Sequence, residues 1–187
     1  MFAPNFHPAM RYAAPVRKKL GVRTIFNVLG PLANPASATH QVLGVYEASL
    51  TETMAEVLSK LGSEHVMVVH GEDGMDEISI SSETRISELK NKSITTFTIK
   101  PTDFGLNMAD LKTIQVENVD ASKAMMLDVL EGHEGPHRDI TLLNAGAAIY
   151  VSGLTSTLKE GIEKAALVID QGLGLKKLEA LKAASHG

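Results

Sequence analysis

His65-Val66-Met67-Val68-Val69-His70-Gly71-Glu72-Asp73-Gly74-Met75-Asp76-Glu77 passes from an apolar strand into a glycine-hinged turn that carries four carboxylates within six residues. Upstream, Gln41 to Tyr46 reads as another strand, and Thr51 to Leu61 as an amphipathic helix with Thr51 as N-cap and Gly62 as its stop. Strand, helix, strand in that order predicts a parallel crossover unit, and ligands of such sheets gather at the carboxyl ends of the strands. Asp76 and Glu77 fall at that end.

The turn chemistry points to a hard cation. Mg²⁺ prefers oxygen ligands and usually takes one or two carboxylates, leaving the rest of its octahedron to water and substrate phosphates. Acidic glycine turns are also common as solvated surface loops that bind nothing. Glu72 and Asp73 sit at the tip between two glycines, whereas Asp76 and Glu77 lie where the chain re-enters an apolar segment, Ile78 to Ile80. That placement predicts the more fixed geometry for the second pair.

Working outward, Pro8 opens a helix that runs through Leu20 to a stop at Gly21, with Pro15 inside it removing one hydrogen bond and kinking it near Arg17. Thr24 to Leu32 is apolar, and Asn34-Pro35 forces a turn. Thr84 to Leu89 and Ser93 to Ile99 read as a peripheral antiparallel pair. Asp120 is the expected cap of a helix through Leu130. The loop from Glu131 to Arg138 carries His133 and His137, whose spacing matches no common zinc pattern. Pro136 starts an apolar helix reaching Val151, whose small face Ala145-Gly146-Ala147-Ala148 suits close packing on a sheet. Thr157 and Glu160 form a capping box for a helix to Ile169, and Leu175 to Ala184 is a last short helix. About four helices and five strands in alternating order make the chain α/β.

At 187 residues, with 44% hydrophobic and 21% charged residues, the chain reads as one domain with a small appendage and enough apolar side chains for a core. A net charge of −4 without a long basic block argues against nucleic acid or a membrane surface as the partner. The absence of cysteine excludes disulfides, thiolate metal sites and cysteine nucleophiles, and fits a cytoplasmic setting. The most apolar run, Ile140 to Leu154, is too short to span a bilayer, and nothing reads as a targeting segment.

Three stretches carry a resemblance to a known family: Phe2-Ala3-Pro4-Asn5-Phe6-His7-Pro8-Ala9-Met10-Arg11, continuing to Pro15-Val16-Arg17; Arg23-Thr24-Ile25-Phe26-Asn27-Val28-Leu29-Gly30-Pro31-Leu32-Ala33-Asn34-Pro35-Ala36; and His70-Gly71 with Gly74-Met75-Asp76-Glu77-Ile78-Ser79. Together with Leu142-Leu143-Asn144-Ala145-Gly146-Ala147, these resemble the anthranilate phosphoribosyltransferases along essentially the whole chain. The resemblance implies a central, mostly parallel sheet flanked by helices, the large-domain portion of the nucleoside phosphorylase and phosphoribosyltransferase fold. Residues 1–187 would then be a partial catalytic α/β domain. It also implies transfer of the phosphoribosyl group from 5-phosphoribosyl diphosphate to the amine of anthranilate, with release of diphosphate, in tryptophan biosynthesis. By the same resemblance Arg17 contacts the anthranilate carboxylate, a task suited to a planar cation with paired donors. His7 and Met10 line the aromatic acceptor's path, and Asp76 and Glu77 hold Mg²⁺ against the diphosphate. No side chain is required as a nucleophile.

Members of that family are about twice as long and carry a Gly-Thr-Gly-Gly-Asp loop and a Lys-His-Gly-Asn motif upstream, neither of which occurs in this sequence. The expectation is a carboxyl-terminal portion, as a truncated piece or as one chain of a split enzyme that needs a partner chain, inactive by itself. The family dimerises largely through its amino-terminal helical domain, so the homodimer stays open for this chain. Two other readings stand beside this one: a non-catalytic ligand-binding or interaction module of the same fold, and a pyrimidine-nucleoside phosphorylase relative. The Asp76-Glu77 motif and the Asn27 to Pro35 segment point away from the phosphorylase.

Overall fold

Strand β2, His65–Gly71, is buried along its whole length in the computed structural model, which describes residues 6, 8–22, 24 and 26–185. Its side chains alternate between two covered faces. Met67 and Val69 join the main apolar cluster with Ile86, Leu143, Ala147, Val151 and Ile162, while Val66 and Val68 point the other way. On that other face packs helix α3, Leu50–Lys60, through Met54, Ala55 and Leu58. Cover on both faces is what lets β2 be a continuous apolar run.

The chain divides into two compact units, Met1–Ala38 and Thr39–Gly187. In the first, α1 spans Met10–Leu20 and α2 spans Phe26–Leu32, and neither helix fully buries a residue. Gly21 ends α1 at φ 63°, with its N–H on the Arg17 carbonyl, as the sequence led us to expect.

In the second unit the described sheet has the order β1-β2-β3-β4, with β1 at His40–Gly44, β3 at Thr84–Lys90 and β4 at Ser93–Ile99. Strands β1 and β2 are parallel and joined through α3, so the crossover unit is as expected. The α/β class holds, but the described sheet is mixed rather than mostly parallel, because β2/β3 and β3/β4 are antiparallel. The reason is the connections. No helix lies between β2 and β3, and β3 turns into β4 through Asn91 and Lys92, both at positive φ, a two-residue hairpin that permits only an antiparallel neighbour. The pair is also not wholly peripheral, since β3 lies between β2 and β4.

Helices α4 (Val119–Leu130), α5 (Pro136–Val151), α6 (Leu158–Asp170) and α7 (Leu173–Ser185) follow, giving seven α-helices and four strands among the described residues, with short 3-10 turns at Pro101–Phe104 and Leu111–Ile114. Pro136 at the start of α5 and the Thr157–Glu160 capping box of α6 are where the sequence put them. Two caps differ. Ser49, not Thr51, precedes α3, and Thr51 is buried with its hydroxyl donating to the Ala48 carbonyl. Asn118, not Asp120, caps α4: its extended backbone lets the side-chain oxygen accept from Ala121 N–H at 2.9 Å, while Asp120 falls inside the first turn.

The small stretch of α5 is shared between the sheet and a helix: Ala147 is buried in the cluster with Met67 and Val69 of β2, while Gly146 faces α6. A methyl placed on Gly146 would lie 2.7 Å from the Ile162 backbone, and one on Gly161 would lie 2.3 Å from the Gly146 carbonyl oxygen. Helices α5 and α6 therefore meet backbone to backbone at a glycine pair. At the start of β2, His65 donates to Glu88 at 2.8 Å and stacks edge-on against Tyr150, whose hydroxyl accepts from Lys90. No helix among the described residues is long and apolar enough to cross a membrane.

Candidate functional site

The acidic loop begins where β2 ends. Gly71 N–H bonds to the Met75 carbonyl at 2.8 Å, and Gly74, at φ 92°, returns its own N–H to Gly71. Asp73 holds the loop from inside, accepting from the hydroxyls of Ser79 and Ser81 and from Met75 N–H. Burial pushes the Asp73 carboxyl up, but these donors outweigh it and leave the group below its ordinary value. Most of its acceptor capacity is thus used within the loop. Of the two acidic pairs, it is a member of the first whose side chain is anchored, the reverse of what position along the chain suggested.

Asp76 and Glu77 differ in what is fixed. Their side chains are exposed and have no hydrogen bond or ion pair among the described residues, while the backbone beneath them is held from two directions. Asp76 lies directly over Gly44, the last residue of β1, where an added methyl would sit 1.6 Å from the Asp76 carbonyl oxygen. Ile78 is 1% exposed, and the Asn144 side chain of α5 pairs with both its N–H and its carbonyl at 2.9 Å. Ile80, also in the core, accepts from Ala109 N–H. The loop therefore has an exposed tip and a buried foot, with the adjacent carboxylates at the join, beside the carboxyl end of the parallel pair.

Partial burial, and then the charge of Asp76 beside it, push the Glu77 carboxyl above its ordinary value. Two adjacent carboxylates that repel each other, and that no described cation neutralises, form an all-oxygen donor set of the kind that Mg²⁺ accepts. The donor set fits that ion.

In the first unit Met10, Ala13 and Arg17 are the half-buried residues of α1, spaced i, i+3, i+7 and so on one face. The Arg17 guanidinium lies 5.7 Å from the centre of the Phe26 ring, and the side chain lines a cleft of about 390 Å³ with Ala14, Lys18, Gly21, Val22 and Asn27. Asn27 itself accepts from Thr24 N–H at 2.9 Å. His7 lies outside the described residues. The structure thus puts Met10 and Arg17 on a common helix face, and Asp76 and Glu77 together on the loop.

Elsewhere, Asp128, Glu131 and His133 could converge on an ion, but all three are exposed, and His137 is not part of the group. Sequence reading passed over three residues that shape the acidic loop: Gly44, Asp73 as an internal acceptor, and Asn144. Asn144 stood in the sequence as the one polar residue of Leu142-Leu143-Asn144-Ala145-Gly146-Ala147. A half-buried amide among apolar neighbours needs partners, and that was the available signal.

The profile of the glycosyl transferase family, a/b domain, matches residues 1–175. Anthranilate phosphoribosyltransferase of Methylobacillus flagellatus is 55% identical over 186 residues, covering 100% of this chain and 54% of that protein. The Nitrosomonas europaea enzyme of the same name is 53% identical, covering 97% and 53%. Among solved structures, anthranilate phosphoribosyltransferase from Thermus thermophilus superposes with a TM-score of 0.84 at 41% identity, over 93% of this chain and 51% of that one. The Saccharomyces cerevisiae enzyme in complex with PRPP and Mg gives 0.82 at 33% identity, over 92% and 50%. The chain spans about half the length of the curated relatives it matches. With the sheet, the loop and the match along 1–175 in agreement, the chain belongs to the glycosyl transferase family as its a/b domain, and within it is similar to the anthranilate phosphoribosyltransferases.

Proposed function

We propose that residues 1–187 are a partial catalytic domain of an enzyme that transfers the phosphoribosyl group of 5-phosphoribosyl diphosphate to anthranilate. The observation that carries this reading is the Asp76–Glu77 pair: adjacent, exposed and unpartnered among the described residues, on a backbone fixed against the end of β1. Solved relatives support the substrates, since one Saccharomyces cerevisiae structure holds PRPP and Mg and another holds 4-fluoroanthranilate.

In this reading Asp76 and Glu77 would hold Mg²⁺. When bound, the ion neutralises the charge that gathers on the departing diphosphate. Arg17 offers its paired N–H donors to the anthranilate carboxylate, and a lysine could not reproduce that two-point grip. Met10, on the same face of α1, and His7 line the acceptor's path. The amine of anthranilate is itself the nucleophile, so the residues' work is alignment and charge stabilisation, and no side chain forms a bond to the sugar.

The test supplies this chain with the part of the Methylobacillus flagellatus relative that it does not match, and follows loss of anthranilate fluorescence with 5-phosphoribosyl diphosphate and Mg²⁺. The combined protein should consume anthranilate, Arg17→Ala and Asp76→Asn should suppress that consumption, and the 187-residue chain alone should form no product. A folded, combined protein without transfer would contradict the proposal and favour a binding module instead.

A further inference from the structure

Asn144 sits in the middle of α5, 66 positions from its partner Ile78, and makes three hydrogen bonds with one side chain. Its Nδ2 donates to the Ile140 carbonyl one turn back at 3.0 Å and to the Ile78 carbonyl at 2.9 Å, while its Oδ1 accepts from Ile78 N–H at 2.9 Å. The amide acts as a peptide group of a neighbouring strand would, gripping both polar groups of a residue that is 1% exposed.

The consequence falls on Glu77. The N–H of Ile78 belongs to the same planar peptide unit as the carbonyl of Glu77, so the Asn144 bond orients that plane. On the other side, the carbonyl of Asp76 shares its plane with the N–H of Glu77, and that carbonyl is packed against Gly44, in the space that a side chain there would fill. Both peptide planes flanking Glu77 are therefore held, one by hydrogen bonds and one by packing, which restricts its two backbone dihedrals and the direction of its Cβ. The carboxylate is aimed while its oxygens stay free.

The geometry points to Asn144 as a positioning residue for the Asp76–Glu77 cation site, acting through the Ile78 backbone. This rests on the reading of that pair as the Mg²⁺ site. It places part of the site's precision on a helix of the core, where supporting contacts usually govern metal affinity by roughly 10–100-fold.

The experiment uses the full chain with Mn²⁺, detected by its paramagnetic resonance, in the presence of inorganic diphosphate. Wild type, Asp76→Asn, Asn144→Ala and Asn144→Ser are compared with Leu143→Ala, a buried neighbour that does not touch the loop's polar groups. Asn144→Ala and Asn144→Ser should weaken Mn²⁺ binding by about tenfold per folded molecule, and should speed hydrogen exchange at the Ile78 amide while β2 and β3 stay protected. Leu143→Ala should lower the melting temperature yet leave the affinity of the folded chain within about twofold. Asp76-dependent binding that survives in both Asn144 variants would overturn the inference alone, as would an equal loss in Leu143→Ala. Equal binding by wild type and Asp76→Asn would overturn the metal reading and this inference with it. Failure of both Asn144 variants to fold would assign the residue to folding instead and overturn the inference.

Discussion

Replacing Gly44 with alanine tests the packing that holds the acidic loop against the sheet. The added methyl would lie 1.6 Å from the Asp76 carbonyl oxygen and 2.5 Å from its carbon, so the loop backbone must retreat by about 1.4 Å to reach the 3.0 Å that a real contact allows. Gly44 has no positive φ, so the cost is steric and not conformational. Retreat is opposed on both sides: Met75 is bonded to Gly71 one residue before, and Ile78 is gripped by Asn144 two residues after. Overpacking of this kind costs about 1–3 kcal/mol, and a backbone obstacle that cannot rotate away puts the cost toward the upper end. For a chain of this size that corresponds to a melting temperature lower by roughly 4–10 °C. Thermal unfolding followed by circular dichroism measures it, with Gly30→Ala as the control, because a methyl there meets nothing within 4 Å. Gly44→Ala melting within about 1 °C of wild type would refute the placement of Asp76 over β1.

Asp73→Asn should destabilise the chain in urea at pH 7. Because Asp73 has a depressed pKa in the fold, its stabilising effect is complete above the unfolded value of 3.8 and is lost as the pH falls through the folded one, so the gap to wild type should close below 3.8; a gap independent of pH would contradict this. Gly161→Ala should lower the urea midpoint, since its methyl would meet the Gly146 carbonyl at 2.3 Å and Tyr150 Cβ at 3.3 Å, at about 1–3 kcal/mol, offset in part by up to about 1 kcal/mol of helix propensity. Unchanged or raised stability would mean that α5 and α6 do not meet at that glycine pair.

Elements governed by local chemistry were legible in the sequence. The buried strand His65–Gly71, the proline that opens α5, the Thr157–Glu160 box and the glycine stop of α1 each depend on residues within a turn of one another. Caps were less so: Asn118 caps α4 because its backbone is extended there, and no side chain caps α3, since Ser49 is already helical and makes no capping bond. The candidate site was legible as a pair of carboxylates and not as a built structure. What builds it is long-range: Gly44 is significant only because Asp76 returns over β1, and Asn144 only because α5 brings it to Ile78. Gly146, the glycine of α5, showed that something approaches closely, but not that it would be the α6 backbone at Gly161 and Ile162.

Isothermal calorimetry of inorganic diphosphate into the chain, with and without Mg²⁺, decides whether Asp76 and Glu77 hold Mg²⁺ against a diphosphate. If they do, binding is saturable, requires Mg²⁺ and disappears in both Asp76→Asn and Glu77→Gln. Diphosphate binding that is indifferent to Mg²⁺, or that persists unchanged in both variants, would contradict that role.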